Sequence, residues 1–431
     1  MKKFTMNTVW ARGWPGVILL GLLTTIPATA ETLHQAWEVA LGVNHGLKAA
    51  QEETVAAAQQ LEAARAARMP GVSLEAGYTV LDNAPAMNTG VGGGIQTAEK
   101  ESASYKAVAT LPLYTNGQIS NNIDAADAAF QASRIQTSGK NQDLKLQVAE
   151  AFVGVLRAGR GLEVASSHVA SLRAHTQDVE NMHEQGMVSR NDLLAAQVTR
   201  ADAQQEAIKA KNALDLAKSA YNRLLGRPLH QEGVLDDLQP EPFDESLEML
   251  TEQALRQRHE LLALQEQRRA LRHQADGIRA KTGPQIALNG GYEYMENQYQ
   301  AHEGKWFVNV GLQWKLFDGG VIRHQASASD RQAIVLQEQY DDLVSNVALQ
   351  VRQYWLDVQE TGKRIQVTKK AIAQAEENLK VNRDRYESGI STNTEVLDAE
   401  TLRIRSQNNH ANAVYDAVVA ALRLKRAVGE L

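Results

Sequence analysis

The chain has 431 residues with only 9 Pro, 6 Phe and 6 Trp, and Ala, Gln, Glu, Leu and Arg dominate it, a usage suited to long helices rather than an aromatic globular core. A formal net charge of −6 leaves no basic footprint for nucleic acid. With Cys 0 there is no disulfide framework, thiolate metal site, cysteine nucleophile or acylated lipoprotein cysteine.

Lys2, Lys3 and Arg12 precede an apolar run at 17–23, followed by Pro27-Ala28-Thr29-Ala30. This pattern predicts a secretory signal peptide over 1–30, with an uncleaved anchor as the alternative. The run is too short for a bilayer span of about 20 residues, and no other stretch offers a transmembrane helix.

Residues 32–69 predict one helix whose apolar face carries Leu33, Trp37, Ala40, Leu41, Val43 and Leu47, ending before Pro70. A second such helix is predicted over 246–281, because Ala254, Leu255, Leu261 and Pro284 repeat Ala40, Leu41, Leu47 and Pro70 at an offset of 214 (284 − 70). Beyond each Pro the period changes to two. Val72, Leu74, Ala76, Tyr78 and Val80 alternate with Ser73, Glu75, Gly77 and Thr79, and Ile286 to Tyr294 repeat the pattern 214 later. Partner strands at 105–113 and 308–316 complete two hairpins, 71–114 and 285–317. The loop at 81–103 is Gly- and Asn-rich; its Gly90-Val91-Gly92-Gly93-Gly94 reads as surface loop rather than phosphate cradle, since no helix follows it.

Each hairpin is followed by a turn and a helical stretch of equal length with no Pro and few breakers, ending at Gly186 and Gly389, 203 apart (389 − 186). At 1.5 Å per residue each forms a rod roughly 100 Å long. Apolar positions recur every 3.5 residues, through Leu144, Val148, Ala151, Val155, Ala158, Leu162, Ala165, Val169 and Leu172. The second copy gives Val347, Val351, Tyr354, Val358, Thr361, Ile365, Thr368, Ile372 and Ala375, so a coiled coil is expected in both.

The chain reverses at two echoing tips, 183–192 and 386–395, and returns as helices over 191–225 and 393–428. Asp192 pairs with Glu395, Leu194 with Leu397 and Ala196 with Ala399 at the same offset of 203 (395 − 192). A Pro-bearing linker, 227–245, joins a first repeat, 31–226, to a second, 246–431. Almost nothing follows Gly429, so no functional tail is expected. The fold class is therefore mainly α with a membrane β-barrel. Four strands cannot close a barrel alone, and three copies would supply twelve. Tyr78, Tyr105, Tyr292, Tyr294, Trp306 and Trp314 suit interfacial girdles. The competing reading of the strands is a small soluble sheet capping a coiled coil.

With its tandem repeats, paired strands and tips of the form G-x-x-x-x-x-[DE]-[VL]-L-x-A, the chain resembles the TolC family of outer-membrane efflux and secretion channels. The resemblance implies a homotrimer with a 12-stranded barrel in outer-membrane lipid and a helical tunnel across the periplasm. It also implies a periplasmic adaptor and an inner-membrane pump as partners. The cargo is left open. Glu395 and Asp398, three apart on one helix face, match the acidic rings at the family's tunnel entrance. In a threefold tunnel six carboxylates would favour cations. Glu400 falls on another face. Tyr386 matches the gate tyrosine and Asp192 its carboxylate partner, while Ser391 stands where the gate arginine would be and Arg190 is its candidate substitute. The plainer reading makes Asp192 and Glu395 first-turn acids behind caps Ser189 and Thr392. Gly186, Met187, Val188, Gly389 and Ile390 are the expected adaptor-docking tips, with Val188 exposed. His168, His175 and His183 lack metal-site spacing and read as solvated. Neither catalysis nor a cofactor or metal is expected. A periplasmic coiled-coil scaffold without a pore is the alternative function.

Overall fold

The computed structural model describes residues 30–88, 90, 93–241 and 243–431. The expected signal segment, apart from Ala30, lies outside the described residues, as do Thr89, Val91, Gly92 and Pro242. The chain forms helices α1 (Leu33–Val43) and α2 (His45–Ala66), then strands β1 (Gly71–Val80), β2 (Ala86–Asn88), β3 (Gly94–Gln96) and β4 (Glu101–Tyr114). The long hairpin α3 (Gln118–Glu184) and α4 (Arg190–Leu224) follows. The second half gives α5 (Leu247–Gln257), α6 (His259–Ala280), β5 (Gln285–Met295), β6 (Gly304–Gln313), α7 (Val321–Glu387) and α8 (Asn393–Val428).

Each first helix of a half is two helices, where the sequence suggested one. Asn44 ends α1 in extended geometry (ψ 119) and caps α2, its Oδ1 accepting from Leu47 N at 3.0 Å. Arg258 breaks the second copy at ψ 120 with no side-chain cap; its guanidinium instead donates to the Ala427 carbonyl and to Gln350 Oε1, both at 3.2 Å. The breaks fold each short pair against the middle of a long hairpin. Ala36, Ala40 and Leu47 meet Leu144, Val148, Phe152, Tyr221 and Leu225. Leu250, Ala254 and Leu261 meet Val347, Val351, Leu424 and Val428. The second set repeats the first, so the duplicated sequence is a duplicated core. All eighteen heptad positions named above are buried or half-buried, as a coiled-coil seam requires.

The linker is pinned to both halves. Glu31 N donates to the Val234 carbonyl (2.8 Å), Arg227 grips the Glu31 carboxylate at 2.9 and 2.6 Å, and Tyr415 on α8 donates to Asp237 at 3.2 Å.

The sheet is antiparallel in the order β1-β4-β5-β6, leaving β1 and β6 as edges. The strands end elsewhere than expected, β4 running longer and β6 stopping at Gln313. The 81–103 loop carries its own small hairpin, β2 with β3. One face aligns Leu74, Ala107, Tyr292 and Trp306 across the four strands, and beside them Val72, Ala109, Gly290 and Val308. The other aligns Glu75, Lys106, Glu293 and Lys305, a row alternating in charge. Gly291 on this face sits where a Cβ would lie 2.2 Å from the Ala107 carbonyl oxygen, so only glycine permits the β4–β5 approach. The apolar face is bare in one chain: Val72 is 79%, Leu74 75%, Trp306 81% and Val308 78% exposed. No described helix is long and apolar enough to cross a membrane.

Candidate gate at the helix tips

Both long hairpins reverse by the same device. Gly186 and Gly389 adopt φ 73, which L-residues avoid. Met187 N donates to the Met182 carbonyl and Ile390 N to the Arg385 carbonyl, each at 2.9 Å. These six-residue closures satisfy the last carbonyls of α3 and α7.

The returning helices then start on the expected caps. Ser189 Oγ accepts from Asp192 N at 3.2 Å, and the Asp192 carboxylate accepts from Ser189 N at 3.2 Å and from its hydroxyl at 2.7 Å, a complete capping box. Thr392 caps α8 through Glu395 N at 3.4 Å, and Ser391 Oγ donates to Glu395 Oε2 at 2.6 Å. Ser391 thus serves the carboxylate directly, while Arg190 makes no ion pair among the described residues. Met187 and Ile390 are 64% and 69% exposed at the extreme end. Val188, expected to be exposed with them, is half-buried. It precedes the cap and packs with Leu193 in the tip core, a hydrophobic staple that fixes the entry of α4.

Behind the turns, Val179, Ala196, Leu379, Tyr386, Val396 and Ala399 form a small core between the two hairpins. Glu395 and Asp398 point away from it and are exposed, so the two carboxylates share one outward face. Tyr386 is 8% exposed, and its hydroxyl has no hydrogen-bond partner among the described residues. It borders, with Asp192, Ser391 and Asn393, a cavity of about 310 Å³ between the turns. Burial, reinforced by the negative charge of Asp192, pushes the phenol above its ordinary pKa. It is a protonated donor at neutral pH.

Two features were not legible in the sequence. Glu400, two residues beyond Asp398, is 1% exposed. It holds Arg403 at 2.6 Å and Arg383 at 3.5 Å, and Arg383 also donates to Ser171 on α3. The histidines are not solvated as expected. His175 is 6% exposed and its Nε2 lies 2.7 Å from Asn393 Oδ1, and the His175 and Tyr386 rings tilt together with centroids 5.7 Å apart. His183 Nδ1 lies 3.1 Å from the Val188 carbonyl, and His168 Nε2 is buried without a partner among the described residues. Burial pushes both His168 and His175 below the ordinary histidine range. The sequence signal was weak: His168 and His175 repeat at seven, the coiled-coil period, which places them on one face of α3.

An amphipathic sheet with two open edges, carried on two long helical hairpins, is the architecture of a membrane channel protein. The chain belongs to the outer membrane efflux protein family, whose sequence profile matches residues 37–227 and 250–430. It is 24% identical to outer membrane protein TolC of Vibrio cholerae over 413 residues, 93% of this chain and 91% of the relative. It is 27% identical to the alkaline protease secretion protein AprF of Pseudomonas aeruginosa, over 68% of this chain and 62% of that one. Among solved structures, CusC superposes with a TM-score of 0.80 at 19% identity, covering 92% of both chains. VceC of Vibrio cholerae superposes at 0.79 with 18% identity, covering 92% of this chain and 96% of that one. The protein is an outer-membrane efflux channel, and the scaffold reading finds no support in these relatives.

Proposed function

We propose that three copies of this chain assemble into a trimeric exit duct. Four strands from each close a barrel in outer-membrane lipid, and the long hairpins form a tunnel reaching an adaptor and an inner-membrane pump. The observation that carries this reading is the four-stranded sheet whose apolar face and both edges lie uncovered in one chain. Open edges in lipid cost several kcal/mol per unsatisfied group, so closure by further copies is the physical solution. The two repeat units, 31–226 and 246–431, supply equal hairpins on either side of the linker.

The tips then form the periplasmic gate. Glu395 and Asp398 line the constriction, Tyr386 and Asp192 act at the junction between hairpins, and Gly186, Met187, Val188, Gly389 and Ile390 form the adaptor-docking end. Val188 acts there by shaping the turn, since it is half-buried. The duct does not select cargo by itself: relatives named for alkaline protease secretion and for cobalt-zinc-cadmium resistance share the family's sequence. Specificity comes from the pump.

Separation of outer-membrane fractions on gels with and without heating tests the assembly. A heat-modifiable band at three times the chain mass is expected. A chain found only in the soluble periplasmic fraction would overturn the reading.

A further inference from the structure

At the tip, besides the bond from Arg383 to Ser171, the two hairpins of one protomer meet through a hydrogen-bonded chain centred on Asn393. Asn393 is the first residue of α8 and is 3% exposed. Capping of α8 is done by Thr392, so the Asn393 amide is free to serve other helices. Its Nδ2 donates to the Asp192 carbonyl on α4 at 3.1 Å, which turns Oδ1 toward His175 on α3 at 2.7 Å. With Oδ1 as acceptor, His175 Nε2 carries the proton and donates. Both side-chain bonds of Asn393 therefore run from the second hairpin to the first. The His175 ring rests against Tyr386 of α7, so residues of all four long helices converge on this point.

We propose that His175 and Asn393 form a clasp that locks the two hairpins in the closed arrangement, and that breaking the His175–Asn393 bond releases the tip. This rests on the gate reading above. Both groups are buried, so separating the hairpins exposes or orphans a donor and an acceptor that are satisfied only while closed. His175 acts as a positioning residue: it touches no cargo and acts through the placement of α8, which carries Glu395 and Asp398.

The surroundings make the clasp acid-sensitive. Among the groups that act on His175 or touch the clasp, α3 contributes Asp178, α7 contributes Arg383 and Tyr386, α8 contributes Glu400, and α4 contributes the Asp192 backbone carbonyl. Burial is the largest influence on His175 and disfavours its cation, and Arg383 adds to this; the bond to Asn393, Asp178 and Glu400 oppose it without prevailing. The folded clasp thus prefers neutral imidazole. Its contribution is complete above the ordinary histidine pKa of about 6.5 and is lost as pH falls below that value.

Single-channel conductance of the purified trimer in planar bilayers, at about pH 7.5 and 5.5 on either side of that pKa, tests this. The unmodified protein should conduct little at the higher pH and more at the lower. His175→Leu removes the donor and should raise the open population at the higher pH roughly tenfold, the factor carried by one buried hydrogen bond. His175→Gln restores an Nε2 donor that does not titrate and should stay closed at both values. Should His175→Leu fail to yield trimers, Asn393→Ser weakens the same bond from the other side and should open likewise. Wild-type conductance of His175→Leu, or an acid response surviving in His175→Gln, would overturn the clasp. Because the chain has no native cysteine, Glu395→Cys can be modified with a charged thiol reagent as an independent check. Modification that leaves conductance unchanged would overturn the gate reading itself. Modification that alters conductance while His175→Leu conducts like the unmodified chain would overturn the clasp alone.

Discussion

Replacing Glu400 by Gln tests what holds the tip core together. The carboxylate is 1% exposed and compensates Arg403, whose side chain is 12% exposed, and Arg383, which is 36% exposed and 3.5 Å away. Removing one partner of a buried pair costs about 3–5 kcal/mol, because the remaining charge stays desolvated. Gln keeps an oxygen for the Arg403 Nη2 bond now 2.6 Å long, which places the loss near the lower figure. Arg383 is exposed enough that its share is at most about 1 kcal/mol. A total of about 3 kcal/mol means roughly 100-fold faster local opening. Hydrogen exchange of the first turns of α8 in the detergent-solubilised protein reads this directly, since the tip opens as a local unit. A change below about threefold would show that Glu400 contributes no more than an exposed pair does. Substituting Glu400 and Arg403 together by Met should recover much of the loss, because it leaves no orphaned charge from this pair.

Glu395→Ala with Asp398→Ala should lower cation selectivity in planar-bilayer reversal potentials, and unchanged selectivity would remove both residues from the constriction. Gly389→Ala should destabilise the tip by about 1–2 kcal/mol, because φ 73 strains any Cβ although nothing lies within 4 Å to clash; thermal unfolding checks it, and an equal stability would refute a left-handed requirement. Glu260 gives a pH prediction: burial raises its pKa, but Arg258 and Arg426 outweigh burial and hold it at about 2. A carboxylate depressed in the fold contributes stability above its ordinary value of about 4.3, and that contribution is lost as pH falls toward 2. Glu260→Gln should therefore flatten the acid limb of a stability-versus-pH curve, and an unchanged limb would refute the role.

Much of the architecture was legible because duplication repeats each signal. The seams at Leu144 to Leu172 and Val347 to Ala375, the paired strands and the two Gly turns each appear twice, and noise does not repeat at fixed offsets. The helix breaks at Asn44 and Arg258 were missed for a physical reason. Neither carries Pro, and Arg258 is held by the Ala427 carbonyl 169 positions away rather than by any local cap. Val188 looked like an exposed tip residue because its staple partner, Leu193, matters only once the capping box has formed. His175 was read as solvated because a lone histidine on a polar helix usually is; Asn393, which satisfies it, lies 218 positions away in the sequence. The outward carboxylates Glu395 and Asp398 were readable from their spacing of three, whereas the buried Glu400 required the arginines of two helices to be seen together.

The row Glu75, Lys106, Glu293 and Lys305 begins with an acid on edge strand β1 and ends with a base on edge strand β6. The two edges of one sheet are therefore unlike and complementary, so the sheet fits the far edge of an identical sheet better than its own copy. An even count of antiparallel strands also leaves β6 running opposite to a neighbouring β1, so the junction between chains follows the same pairing rule as the interior. Such head-to-tail joints close into rings instead of two-fold pairs. Carried around a closed ring, the row would alternate Glu and Lys without a seam and cancel its own charge. In the barrel proposed above, that row would add no net charge to the wall that carries it.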